Sequence, residues 1–176
     1  LVAKGDVYRY DDELIIKVYN DKNTYKEVET EIALARKAFV LGIPTAISFG
    51  IVSVGDKYGA MYELLNCSDV SKYISNNPGD VEYYAKIMAD LAHTIHDIEA
   101  DDIKDFPDST ERLRDQVQAG LGKIDPEMAG RVMALIDALP ETKHLVHGDF
   151  HSGNVFLLNG EPMLIDMDRM SIGHPI

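Results

Sequence analysis

The sequence predicts an α+β fold in two lobes: a small β-rich lobe with one helix over residues 1–65, and a larger, mostly helical lobe over residues 66–176. Three observations predict it. Short β-rich runs cluster before residue 65. Long segments with apolar residues three and four apart dominate after Asn66. A length of 176 residues, 45% hydrophobic and 27% charged, suits one domain or two small lobes with a buried core.

The elements follow in order. Asp6–Tyr10 and Leu14–Tyr19 flank the polar turn Asp11-Asp12-Glu13 and read as a hairpin. A helix is expected from about Thr24 to Leu41, with Tyr25, Val28, Ile32, Ala35 and Phe39 on one apolar face and Gly42 and Pro44 ending it. Strands are expected at Ala46–Val54 and Tyr58–Leu64, joined at Gly55-Asp56. Ser68 is the expected cap of a short helix through about Ser75, which Asn77-Pro78-Gly79 breaks. Val81–Ile98 is amphipathic through Tyr84, Ile87, Met88, Leu91, Ile95 and Ile98. Asp108 with Glu111 forms a capping box for the next helix, and Asp125-Pro126-Glu127 opens another. Leu145–Val146 is a short strand. Val155–Leu158 and Pro162–Ile165 flank Asn159-Gly160, the strongest hairpin signal in the chain.

Composition excludes several classes. The net charge of −13 argues against binding to nucleic acid or to an anionic membrane, and it is compatible with a cationic ligand. The single cysteine, Cys67, permits no internal disulfide and points to a reducing, cytoplasmic location. Ala38–Gly55 carries no charge, but Gly42, Pro44 and Gly50 interrupt it, so it reads as a helix end, a turn and a strand rather than a membrane span. His93 and His96 stand one turn apart on a helix without further ligands spaced for a metal, so they read as packed or hydrogen-bonded histidines. The acidic run Glu99–Asp108 reads as a solvated loop, or alternatively as the lining of an acceptor site.

Chemistry concentrates in His147–Asn154 and Leu164–Asp168. A two-residue turn at Asn159-Gly160 pairs Leu158 with Glu161, Val155 with Leu164, Asn154 with Ile165 and Gly153 with Asp166. Asn154 and Asp166 then emerge together at the open end of the hairpin. An amide oxygen beside a carboxylate is a hard donor set of the kind Mg2+ accepts. Asp149 enters the same place five residues before Asn154, where it can orient a hydroxyl or take its proton. Asp168 falls on the side of Asp166 if the strand persists, as a residue supporting the metal ligands from behind or a contact for a cationic acceptor. His151 is either an acceptor contact or a shaper of the loop.

The order His147-x-Asp149, Asn154, then Ile165-Asp166 resembles the protein-kinase-like superfamily. His147-Gly148-Asp149 is similar to the aminoglycoside phosphotransferase and choline kinase branch. That resemblance implies transfer of phosphate from ATP, with magnesium, to a hydroxyl of a small molecule such as an aminoglycoside, an amino alcohol or a sugar. It implies Asp149 as the base, Asn154 and Asp166 as metal ligands and His147 as a support of the loop. Leu14–Val18 resembles the strand bearing the phosphate-binding lysine, here Lys17, whose side chain can point to either face. The lysine's partner is expected at Glu31, with Glu27 as the alternative one turn earlier. Met61–Leu65 resembles the strand into a hinge where the backbone of Glu63 and Leu65 would hold adenine. The resemblance also implies a chain shortened at both ends: Leu1–Val7 offers only Gly5 to a phosphate-covering loop, and the family's further helices would follow Ile176. The ten residues after Asp166 hold no Ala-Pro-Glu element, which favours a small-molecule acceptor over a protein. The rival classes are a nucleotide-holding pseudokinase and a kinase-like enzyme acting on protein. Oligomeric state is not legible in these residues.

Overall fold

The computed structural model describes residues 5–20, 25–98, 103, 105–140 and 142–175. Lys4 and its neighbours before Gly5, the expected helix start at Thr24 and part of the acidic run Glu99–Asp108 lie outside the described residues, as does Ile176. In chain order the elements are β1 (Gly5–Arg9), β2 (Leu14–Tyr19), α1 (Tyr25–Val40), β3 (Ser48–Val54), β4 (Lys57–Glu63), α2 (Val70–Asn76), α3 (Val81–His96), α4 (Ser109–Gly120), α5 (Pro126–Asp137), β5 (His144–Val146), β6 (Val155–Leu158), β7 (Glu161–Leu164) and β8 (Ser171–Gly173). Short 3-10 turns occupy Pro78–Asp80 and Met167–Arg169. The mixture of an antiparallel sheet with helices is the α+β class expected. No helix among the described residues is long and apolar enough to cross a membrane.

The chain divides into two compact units, Leu1–Ala92 with Asp149–Arg169, and His93–Gly148 with Met170–Ile176. In the first unit an antiparallel sheet runs in the order β1-β2-β4-β3, with Lys17 opposite Ala60 and Ile15 opposite Tyr62. Alternation puts Ile15, Lys17 and Tyr19 on one face of β2, and the register places Tyr62 on that face too. Helix α1 packs on this sheet through Val28 and Ile32, which meet Tyr19 and Ala60 in the core. The helix ends in a Schellman motif: the Gly42 amide bonds the Phe39 carbonyl and the Ile43 amide bonds the Ala38 carbonyl, both at 3.0 Å. Gly42 sits at φ 83°, where a side chain would be strained. The buried stripe of α1 is Val28, Glu31, Ile32, Leu34, Ala35 and Ala38. It differs from the expected one at its ends. Tyr25 is 48% and Phe39 51% exposed, and Tyr25 instead meets the ring of Tyr58 edge-on.

Also in the first unit, β6 and β7 form the predicted hairpin, with Val155 opposite Leu164 and Leu158 opposite Glu161. Its turn residues Asn159 and Gly160 lie at φ 55° and 88°, the primed turn that matches strand twist. The hairpin is tied down on both sides: the Leu164 amide donates to the Pro44 carbonyl at 2.7 Å, and the Leu157 amide to the Ser68 carbonyl at 3.1 Å. Helix α2 is capped by Asp69, not Ser68: the Asp69 carboxylate accepts from the Lys72 amide at 3.1 Å. In the second unit, Asp108 caps α4 by accepting from the Thr110 and Glu111 amides, and Asp125 caps α5 ahead of Pro126. Strand β5 pairs antiparallel with β8, a three-residue strand too short to stand out in the sequence.

Candidate active site

The site belongs to the first unit. Residues from β2, α1, the end of β4 and the 149–169 segment line one cavity of about 620 Å³. All seven residues singled out from the sequence line it: Lys17, Glu31, Glu63, Leu65, Asp149, Asn154 and Asp166.

Lys17 joins the two parts of the site. Its ammonium lies 2.9 Å from Glu31 Oε1 and 2.5 Å from Asp166 Oδ1. The lysine therefore points to the α1 face of the sheet, and its helix partner is Glu31; Glu27 is exposed. The Lys17 side chain is 14% exposed, Glu31 3% and Asp166 40%. Burial alone would lower the Lys17 pKa, but the Glu31 and Asp166 carboxylates outweigh it and hold the ammonium above its usual range.

Glu31 has two further donors that sequence reasoning missed. The hydroxyl of Tyr19 donates to Oε2, and that of Tyr62 donates to Oε1 at 3.1 Å. Both phenols are pushed far above their usual pKa, by burial first and by the Glu31 charge second. The spacing Lys17-x-Tyr19 was the available signal, because it puts the two side chains on one face.

On the opposite wall, the backbone of β6 and β7 continues one step beyond the strands: the Ile165 amide donates to the Asn154 carbonyl at 3.0 Å. Asn154 is 6% exposed, and its side-chain amide nitrogen donates to the Asp149 carbonyl at 3.0 Å. That bond turns the amide oxygen away from the Asp149 carbonyl. Asp166, which follows Ile165, takes φ 60°, a left-handed conformation uncommon outside glycine. The strand does not persist to Asp168, which sits in the 3-10 turn Met167–Arg169, so alternation does not govern it, although it too lines the cavity. His151 shapes its own loop by accepting from the Gly153 amide at 3.0 Å, and it also lines the cavity. Gly148 lies at φ 77°, where a side chain would cost about 1–2 kcal/mol, which accounts for glycine there. His147 is 2% exposed.

Most of the remaining lining is apolar, with Ile15, Ala46, Leu64, Phe156 and Ile165 among it, and Thr45 and Arg169 add polar groups. At the end of β4 the Leu64 amide donates to the Glu13 carbonyl at 2.7 Å, and the Leu65 carbonyl accepts from the Cys67 amide at 2.8 Å.

A part-buried lysine bonded to two carboxylates, with an asparagine and an aspartate at the open end of one hairpin, resembles the site of kinase-like phosphotransferases. The profile of a family described as phosphotransferase enzyme family (APH) matches residues 3–176, and the chain belongs to that family. Its fold is that of solved aminoglycoside phosphotransferases. Against APH(3'')-Id from Streptomyces rimosus the TM-score is 0.73 at 13% identity, covering 96% of this chain and 69% of that one. Against an aminoglycoside-3'-phosphotransferase of type VIII it is 0.72 at 16% identity, covering 98% and 74%. Against the gentamicin complex of APH(2")-IIa it is 0.66 at 17% identity, covering 98% and 64%. The chain thus spans about two thirds of the length of the last of these. Comparison with curated protein sequences finds no significant match.

Proposed function

We propose that this chain carries the nucleotide site of an ATP-dependent phosphotransferase that moves the γ-phosphate to a hydroxyl of a small molecule. The observation that carries it is the convergence of Lys17, Asp166, Asn154 and Asp149 on one cavity, with Lys17 bonded to both Glu31 and Asp166. The cavity volume of about 620 Å³ is of ligand size. Ile15, Ala46, Leu64 and Phe156 suit the faces of a planar base, with the backbone of Glu63 and Leu65 at its edge. Lys17 is the cation for phosphate oxygens.

The Asn154 amide oxygen and the Asp166 carboxylate fit Mg2+: both are hard oxygen donors, and the bond from Asn154 to the Asp149 carbonyl leaves oxygen, not nitrogen, as the donor atom. Bound there, the ion would neutralise charge on the phosphate oxygens. Asp149 orients the acceptor hydroxyl and takes its proton as the new O–P bond forms. The bond from the γ-phosphorus to the bridging oxygen breaks, and ADP leaves with that electron pair. The net charge of −13, which also serves general solubility, is compatible with a cationic acceptor such as an aminoglycoside or an amino alcohol, and with a sugar-like acceptor. Gentamicin and hygromycin B are bound in solved relatives of this fold. One cysteine suits a reducing cytoplasm.

Calorimetric titration with ATP, with and without Mg2+, tests the assignment. Magnesium-dependent binding that Asp166→Asn abolishes is expected. ATP binding unchanged in that variant, or none in the folded wild type, refutes the nucleotide site. Binding without transfer to any hydroxyl acceptor would make the protein a nucleotide-binding module instead.

A further inference from the structure

Lys17, Glu31 and Asp166 have roles above; the two tyrosines converging on Glu31 do not. Tyr19 is 3% exposed and packs with Val28, Ile32 and Ala60, and Tyr62 packs against the same cluster. Phenylalanine would fill that space equally well. A hydroxyl set in an apolar core costs stability unless it finds a partner, and both hydroxyls find the same one.

The geometry is specific. A carboxylate offers about four lone-pair positions. Three on Glu31 are taken by Tyr19 at Oε2 and by Tyr62 and Lys17 at Oε1, the last two at 3.1 and 2.9 Å. Two of those donors are neutral and stand on separate strands, β2 and β4. The Tyr19 ring also lies 5.4 Å from the Lys17 ammonium, so this one side chain touches both members of the ion pair.

We propose that Tyr19 and Tyr62 are positioning residues that latch Glu31, and with it α1, to the sheet independently of Lys17. This rests on Lys17 being the phosphate-binding group. Such a lysine must exchange the Asp166 carboxylate for phosphate oxygens when nucleotide arrives. A glutamate held by the lysine alone would be left buried and unpaired whenever the ammonium moved. With two hydroxyls holding it, Glu31 stays where it is and returns the lysine to one position. Both phenols stay protonated well beyond neutral pH, since burial and the Glu31 charge both oppose their ionisation, so the latch does not open in the physiological range.

The test uses Tyr19→Phe, Tyr62→Phe, the double variant and Lys17→Met in the full-length protein, with two measurements. The first is amide hydrogen exchange. In the double variant α1 exchanges about tenfold faster or more, as expected for losing two hydrogen bonds to a buried charge, while β6–β7 does not change. In Lys17→Met any faster exchange is the global one, shared equally by α1 and β6–β7, because the tyrosines still hold Glu31. The second is steady-state kinetics with Mg-ATP. The double variant loses about tenfold or more in kcat with little change in KM for ATP, the split expected of a misplaced charge. The single variants fall between, and they decide the matter if the double variant does not fold. Wild-type exchange in the double variant, or an α1 loosened relative to β6–β7 in Lys17→Met as much as in the double variant, overturns the latch. An unchanged kcat in a double variant with a loosened α1 overturns the positioning role. If the wild type binds no Mg-ATP, the nucleotide reading fails, and the exchange comparison still decides the latch.

Discussion

Replacing Glu31 by alanine is the most demanding stability test of this site. Glu31 is 3% exposed and accepts from Lys17, Tyr19 and Tyr62. Its removal strands the buried Tyr19 hydroxyl and the part-buried Tyr62 hydroxyl, each at about 1–3 kcal/mol. Lys17 keeps Asp166, but that carboxylate is 40% exposed, and so screened a pair contributes little. Water entering the vacated space recovers part of the loss. The expected cost is about 3–4 kcal/mol, which for a chain of this length corresponds to roughly 6–16 °C in Tm. Thermal unfolding followed by circular dichroism, with urea midpoints as a second measure, reads it. Lys17→Met is the control. It leaves Glu31 with both tyrosines and Asp166 with solvent, so about 1–2 kcal/mol is expected, below the range for breaking a buried pair. A loss under about 1 kcal/mol for Glu31→Ala would refute the reasoning, because it would put these bonds on a par with a surface ion pair.

Three further outcomes are expected. Asp149→Asn spares Mg-ATP binding and lowers transfer by several powers of ten, about 10³-fold or more, measured as turnover with saturating ATP and any acceptor found; near-wild-type turnover would remove Asp149 from the reaction. Asp69→Ala costs about 1 kcal/mol by urea denaturation, because the α2 cap to the Lys72 amide is lost. Burial works against the Asp69 carboxylate, but its bonds to Ser71 and Lys72 outweigh that and hold its pKa below the usual range. Its stabilisation is therefore complete above the ordinary carboxylate pKa, is lost as pH falls through the folded value, and is absent from the alanine variant at every pH. In the second unit, burial first, then His144 and His93, depress the His96 pKa, against a smaller opposing effect of Asp97. The unfolded chain then binds the proton more readily. Stability is expected to decline as pH drops below about 6.5, and His96→Gln is expected to flatten that decline in Tm measured from pH 7.5 to 5.

The register of the hairpin was legible because two features agreed: Asn159-Gly160 names the turn, and a period of two carries the pairing outward to Asn154 and Ile165, although β7 spans Glu161–Leu164 rather than Pro162–Ile165. The helix starts at Asp108 and Asp125 were legible because capping is local. The same rule misplaced the cap of α2 by one residue, since Ser68 and Asp69 are both good caps and tertiary bonding chose between them: the Ser68 carbonyl is committed to Leu157. The place of Asp168 depended on whether the strand persists, and it does not: period two ends where Asp166 turns left-handed, and backbone handedness at an aspartate leaves no mark in the pattern. The choice between Glu27 and Glu31 could not be made from helix spacing alone. It depended on which turn of α1 overlies Lys17, a matter of sheet register. Tyr19 and Tyr62 went unread for a related reason: tyrosines in strands signal packing, and nothing local says where a hydroxyl points.

The first unit is made of two stretches separated by 56 residues of chain, Leu1–Ala92 and Asp149–Arg169. Lys17 meets an aspartate 149 positions further on. During synthesis, therefore, the sheet and α1 emerge long before the segment that completes their unit. Until Asp166 arrives, the nascent sheet presents the apolar cavity wall of Ile15 and Ala46 without its opposite side, a long-range closure of the kind that slows folding and favours capture by chaperones. The expected folding order is thus set by chain connectivity: β1 to β4 with α1 first, and a competent site only in one late step.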